Sequence, residues 1–290
     1  MNTINFLNYT LICKKFNVIL LLRVFINTLF YLNQMNKYLL IKTYIMGLFS
    51  RKNTVDTNAT ALKEVQKEKK AISKLNLNEI ILVDFPDNQY VREQTEKKQI
   101  VLHHTVSGQG VDGDIAWWRK TVQRIGTAII VGWDGKIYQC FSSKYWAYHL
   151  GAGNSKLDKH SIGIEIDSWG GLIRYNRLWY PAKWDENLKQ NVANTSAKPI
   201  PEQNVQIYEN GYRGFYGFEK YTDAQIEAVR KLLVYWGERY KIPLDYNDIW
   251  DINSNALKGK TGVWTHTSFR SDKSDCHPQP ELIQMLKSLK

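Results

Sequence analysis

The chain has 290 residues, of which 43% are hydrophobic and 13% aromatic, and its formal net charge is +11. The 10 Trp, 17 Tyr and 10 Phe side chains supply enough apolar surface for a packed core, which excludes a chain disordered throughout. Its 3 cysteines are odd in number and far apart, which excludes a small domain built on disulfides.

The positive charge is concentrated near the N-terminus. Residues 1–75 contain 12 Lys and Arg against 3 Asp and Glu, whereas the rest of the chain contains 27 against 25. Because the body is nearly neutral, we expect no nucleic-acid partner.

Residues 1–45 form a hydrophobic N-terminal extension with two interpretations. Residues 16–32 are mostly apolar but include Arg23, and a central Arg costs about 2.5–3.5 kcal/mol in a spanning helix. The segment is either a signal anchor, the only case in which we expect membrane contact, or the result of a mis-annotated start ahead of Met46. Residues 46–77 are polar and Lys-rich, which indicates a tether.

Residues 78–290 are expected to form one domain in which strands and helices alternate. Taken in chain order, the patterns predict strands over 78–85 and 98–105, a helix over 112–123, a hairpin over 127–141, a strand over 161–167, and helices over 222–240 and 280–289. This order indicates an α/β fold with a mixed central β-sheet flanked by helices.

A long aromatic-rich insertion, residues 168–221, shows no clear periodicity. Structureless loops beyond about 12–15 residues are uncommon, so the segment must have some structure of its own. It is either a lid that offers aromatic faces to a ligand or an insertion that folds on its own aromatic cluster.

Two histidines stand at the ends of predicted strands, His103 in VLHHT and His266 in VWTHTSF. The loop after His266 contains Asp275 and Cys276. A catalytic zinc ion takes three protein ligands from His, Asp, Glu or Cys and leaves one position open. His103 and His266 with either Asp275 or Cys276 would complete such a set.

Four motifs in order, VLHHT (101–105), AYHLGAG (147–153), SIGIEI (161–166) and a late Thr-His followed by Lys-Ser-Asp, resemble the zinc-dependent N-acetylmuramoyl-L-alanine amidases of type 2. That family includes phage amidases and the peptidoglycan recognition proteins. The resemblance implies zinc bound by His103, His266 and Asp275. The family usually has Pro directly after the third ligand, but here Cys276 and His277 precede Pro278, so Cys276 stays open as the alternative ligand.

The same resemblance implies the remaining roles. Glu165 would transfer the proton and Lys273 would stabilise the oxyanion. His149 would contact substrate, with a structural hydrogen bond as the alternative. His104 points to the opposite strand face from His103 and is expected to be structural.

The expected function is cleavage of the amide between N-acetylmuramic acid and L-alanine in bacterial peptidoglycan. The weak basic tether and the lack of a clear secretion signal favour a phage or prophage endolysin, made in the host cytoplasm and acting on the cell wall. The alternative is a non-catalytic peptidoglycan-binding module, although modules of that kind have lost a metal ligand.

Overall fold

The computed structural model describes residues 75–108, 110–121 and 123–289. These residues belong to one compact unit, Lys70–Lys290. The hydrophobic extension 1–45 and most of the tether 46–77 lie outside the described residues. None of the helices in the described residues combines the length and the hydropathy of a membrane span.

A six-stranded sheet forms the centre of the domain. Its strands are β1 (Ile81–Leu82), β2 (Gln99–His104), β3 (Ile129–Val131), β4 (Ile137–Gln139), β5 (Ser161–Ile166) and β11 (Gly262–Thr265). They lie in the order β1-β4-β3-β5-β2-β11. All neighbours are parallel except the β3–β4 hairpin, so the predicted mixed sheet is confirmed.

Five α-helices accompany the sheets in the described residues. They are α1 (Val111–Lys120), α2 (Ser155–Lys159), α3 (Asp223–Tyr240), α4 (Ser254–Leu257) and α5 (Pro280–Lys287). The predicted helices over 112–123, 222–240 and 280–289 correspond to α1, α3 and α5.

Helix α3 begins where the sequence places its N-cap. The Thr222 hydroxyl accepts a hydrogen bond from the Gln225 amide, and the Gln225 side chain accepts one from the Thr222 amide, which completes a capping box. Its apolar stripe is buried, with Val229 and Leu233 fully inaccessible to solvent. The helix therefore packs its hydrophobic face into the core.

The strand predicted over 78–85 is wrong for most of its length. Residues Leu77–Glu79 form a 3-10 turn, because the Asn76 side chain accepts a hydrogen bond from the Asn78 amide and caps it. Only Ile81–Leu82 pairs with the sheet, at its edge, and Leu82 is exposed.

The insertion 168–221 forms a second sheet. Its strands are β6 (Gly171–Tyr175), β7 (Leu178–Asp185), β8 (Gln190–Ala193), β9 (Val205–Tyr212) and β10 (Phe215–Glu219), in the antiparallel order β8-β7-β6-β10-β9. Leu172, Trp179 and Val205 form a small core of its own, against which Trp169 and Ile200 pack. The insertion thus has a small core of its own, which is partly aliphatic, and its use as a lid stays a prediction.

The register of the central sheet brings three strand ends together. His103 on β2 lies beside Glu165 on β5, and Leu102 lies beside Thr265, the last residue of β11. Because parallel strands end at the same edge, His266 follows directly at that edge. The fold therefore gathers residues that are far apart in sequence.

Candidate metal centre

Three potential ligand atoms converge at the carboxyl end of β2 and β11. His103 Nδ1 lies 3.0 Å from His266 Nδ1 and 3.1 Å from Asp275 Oδ2, and His266 Nδ1 lies 2.8 Å from the same carboxylate oxygen. All three residues are buried. Among the described residues they are the one group of His, Cys, Asp or Glu side chains with the spacing of a metal site.

A chain of hydrogen bonds fixes the proton of His103. The Ser161 hydroxyl donates to the Leu157 carbonyl (2.7 Å), so it can only accept from His149 Nε2 (2.8 Å). A neutral His149 then has a bare Nδ1, which accepts from His103 Nε2 at 2.9 Å. His103 therefore carries its proton on Nε2 and presents a lone pair on Nδ1.

His266 is oriented in the same way by a backbone acceptor. Its Nε2 lies 2.8 Å from the Leu150 carbonyl, which cannot donate, so the proton is on Nε2. The Asp158 carboxylate accepts the amides of His149 and Leu150 and holds this segment in place. In their neutral forms both imidazoles therefore point unprotonated Nδ1 atoms at Asp275.

Burial and neighbouring charge keep these groups in the forms that bind a cation. Burial, and then His266, lower the pKa of His103 to about 4, so the imidazole is neutral at neutral pH. Burial alone would raise the pKa of Asp275, but His266 and His103 outweigh it and hold that pKa well below its usual range. The centre thus contains a neutral His103 imidazole and an ionised Asp275 carboxylate, with His266 beside both.

This donor set fits a zinc ion. With both imidazoles neutral, three electron-pair donors face one another without a proton between them, and a cation among them would stabilise this arrangement. Ligand atoms on a tetrahedral zinc lie about 3.3 Å apart, close to the 2.8–3.1 Å seen here. The outward nitrogens are hydrogen-bonded, as is usual for metal-ligating histidines.

Cys276, the alternative ligand, is not part of this group. Its thiol is fully buried beside the Tyr221 hydroxyl, and burial raises the pKa of that thiol well above its usual value. A protonated thiol is a poor metal ligand. The structure thus brings Asp275, and not Cys276, to the two histidines.

Glu165 and Lys273 line the same cleft, which has a volume of about 290 Å³. Burial, and then the charge of Asp275, raise the pKa of Glu165 well above its usual value, while Lys273 opposes the rise. One Glu165 oxygen is buried without a hydrogen-bond partner. His149 also lines the cleft, so its predicted substrate contact stays a prediction beside its observed bond to His103.

His104, on the opposite face of β2, is buried and lies 2.9 Å from the Tyr221 hydroxyl. This position agrees with its expected structural role.

A larger cavity of about 510 Å³ opens between the 3-10 turn at Leu77–Glu79 and α3. None of the predicted site residues lines this cavity; they line the smaller cleft.

Sequence reasoning missed Asp114, which lines the cleft from α1. Its carboxylate accepts a hydrogen bond from the Ser107 hydroxyl at 2.6 Å, and burial raises its pKa to about 7. The sequence showed it only as part of an acidic helix start. A signal was present, since Asp114 lies three residues after Val111 and four before Trp118, which places it on the same buried face of α1.

Comparison with known proteins gave one family match and several structural likenesses. The family model for N-acetylmuramoyl-L-alanine amidase matches residues 93–280. No curated protein matched the chain.

Among solved structures, that of PlyL is 17% identical, with a TM-score of 0.41, and the match covers 73% of this chain and 98% of PlyL. The amidase LysC from Clostridium intestinale URNW is 15% identical (TM-score 0.37), covering 71% and 96%. The amidase AmiD from E. coli, solved with anhydro-N-acetylmuramic acid-L-Ala-D-gamma-Glu-L-Lys, is 19% identical (TM-score 0.33), covering 52% and 47%.

Proposed function

We propose, because this chain belongs to the N-acetylmuramoyl-L-alanine amidase family, that His103, His266 and Asp275 hold a catalytic zinc ion. The family's reaction, which this chain performs, is hydrolysis of the amide between N-acetylmuramic acid and L-alanine in peptidoglycan. The observation that supports the zinc site is that the Nδ1 atoms of His103 and His266 and one carboxylate oxygen of Asp275 lie within 3.1 Å of one another.

When bound, zinc would polarise the scissile carbonyl and lower the pKa of a coordinated water. Glu165 would accept the proton of the attacking water as the new C–O bond forms. It would then deliver that proton to the nitrogen of L-alanine as the C–N bond breaks. Glu165 can accept a proton only when it is ionised, and burial disfavours the ionised form. Positive charge in the cleft favours that form, and Lys273 supplies part of this charge.

Lys273 would stabilise the negative charge that develops on the carbonyl oxygen. His149 would hold His103 through their hydrogen bond and could contact the substrate from the same wall of the cleft. The non-catalytic alternative requires a lost metal ligand, and all three candidate ligands are present in this chain.

We also propose that residues 78–290 act as the catalytic domain and that residues 46–77 are a tether. The cell wall is where the substrate lies, so the enzyme acts there. A phage or prophage setting with synthesis in the host cytoplasm belongs to the same proposal and rests on the sequence.

Mass spectrometry of muropeptides after digestion of purified cell walls tests the proposed chemistry. We expect free lactyl-muramic ends and new L-alanine amino termini. The Glu165→Gln variant should lower kcat by about 10²- to 10⁴-fold, since it cannot transfer the proton, and should keep its zinc. The exposed Glu238→Gln on α3 is the matched control. Cut glycan strands with intact amides, or full activity of Glu165→Gln, would contradict the proposal.

A further inference from the structure

The insertion sheet, strands β6 to β10, contacts the loop that carries Asp275. We call residues 269–279 the ligand loop, which contains no helix or strand. Two tyrosines on β9, Tyr208 and Tyr212, direct their hydroxyl groups at it. The turn after β9 adds a third contact, from the Arg213 guanidinium to the Ser271 carbonyl at 2.9 Å.

His277, two residues after Asp275, is held through both ring nitrogens. Its Nε2 lies 3.2 Å from the Glu219 carbonyl, which can only accept, so the proton is on Nε2. Its Nδ1 then accepts from the Tyr208 hydroxyl at 2.8 Å. The ring is fully buried and stacks on Phe218, with centroids 4.7 Å apart. All three partners belong to the insertion.

Tyr212 lies where the two ligand-bearing segments meet. Its hydroxyl is 2.9 Å from the Trp250 carbonyl, 3.3 Å from the Cys276 carbonyl and 3.4 Å from the Thr267 hydroxyl. Thr267 follows His266, and its amide donates to the Asp275 carbonyl at 3.1 Å. The insertion therefore contacts both segments that carry candidate ligands, at Thr267 after His266 and at Cys276 after Asp275.

We propose that the insertion sheet positions Asp275 for metal binding, with Tyr208 and His277 as the positioning residues. This inference rests on the proposed zinc site. An irregular loop samples many conformations, and each one that displaces Asp275 lowers the affinity for the metal. Hydrogen bonds to a sheet restrict the loop to the conformation in which the carboxylate meets the two imidazoles.

Zinc affinity, measured by competition with a chromophoric chelator at neutral pH, tests the proposal. Tyr208→Phe removes one hydroxyl and leaves the ring in place. We expect it to bind zinc about 10-fold or more weakly than the wild type. Tyr175→Phe is the matched control, because Tyr175 is a 52% exposed tyrosine on β6 of the same sheet. Equal affinity of Tyr208→Phe and wild type would overturn the proposal.

Hydrogen exchange of the metal-free protein provides a second readout. In Tyr208→Phe the Thr267 amide, which donates to Asp275, should exchange faster than in the wild type, while amides of β7 keep their rates. Tyr212→Phe repeats the test if Tyr208→Phe does not fold. Unchanged exchange at Thr267 would overturn the positioning role. A wild type that takes up no zinc would overturn the proposed zinc site and with it the metal-binding purpose of the positioning, whereas unchanged exchange in a zinc-binding protein would overturn the positioning alone.

Discussion

At the scale of single residues, the orientation of His103 depends on a hydrogen bond from its Nε2 to His149. The chain continues through Ser161 to the Leu157 carbonyl. Each member has one arrangement of protons that satisfies its neighbour. The Leu157 carbonyl thus determines, through Ser161 and His149, that the unprotonated Nδ1 of His103 faces the proposed metal position.

We expect His149→Ala to weaken zinc binding by about 10- to 100-fold, because His103 loses the acceptor that fixes its tautomer and ring angle. Chelator competition measures this change. If His149 instead serves only to contact substrate, the variant will raise KM and keep wild-type zinc affinity, which would contradict the orienting role.

Asp114 gives a pH dependence whose sign follows from its pKa. The folded-state pKa is raised to about 7 by burial, whereas an unfolded Asp titrates near 3.9. Between these values the folded protein holds a proton that the unfolded chain releases. Stability from this group is therefore fully present below about pH 4 and is lost as the pH rises through about 7.

Asp114→Asn should abolish the loss of folding stability that the Asp114 carboxyl causes as the pH rises. Urea unfolding in the presence of a chelator should show the variant gaining roughly 2 kcal/mol relative to wild type between pH 5 and pH 8. Asp112→Asn, an exposed residue of the same helix, is the control and should show no such change. Parallel pH profiles for Asp114→Asn and wild type would show that the carboxyl is not perturbed.

At the scale of elements, α3 depends on its capping box. Thr222 also donates to the Trp133 carbonyl at 2.9 Å, which joins the helix start to the β3–β4 hairpin. We expect Thr222→Ala to lower the free energy of unfolding by about 1 kcal/mol, and denaturant titration measures it. The exposed Thr195→Ala should change it far less. A loss below about 0.3 kcal/mol would mean that the cap contributes little.

The central strands could be predicted from sequence because their periodicity is clear, whereas those of the insertion could not. In SIGIEI every second residue is Ile, and Ile162, Ile164 and Ile166 are all buried. In the insertion sheet apolar residues stand on both faces of a strand, since Leu172 and Trp179 are buried whereas Tyr175 and Leu178 are exposed. Some side chains of these strands point into the small core of the insertion, and others point into solvent.

The proposed metal ligands could be inferred from motifs, but their supporting contacts could not. The residue types of His103, His266 and Asp275, and the order of the motifs that contain them, are enough to identify these three positions. The acceptors at Leu150, Leu157 and Glu219 are backbone carbonyls, which any residue carries, so no sequence pattern identifies them. The contacts of Tyr208 depend on where the insertion folds back, and this is known only from the tertiary structure.

At the scale of the whole molecule, the site lies where two sheets meet one irregular loop. The central sheet supplies His103, Glu165 and the strand before His266. The insertion sheet contacts the ligand loop that supplies Asp275. Both sheets belong to one compact unit, Lys70–Lys290, so the geometry of the centre depends on the packing of the domain.

X-ray absorption at the zinc edge, recorded on the full chain loaded with one equivalent of zinc, examines that centre directly. We expect a shell of nitrogen and oxygen atoms at about 2.0–2.1 Å, with imidazole scattering from two histidines and no sulfur. A sulfur shell at about 2.3 Å would identify Cys276 as a ligand in place of Asp275. A chain that retains no zinc would contradict the assignment of these three residues to a catalytic metal.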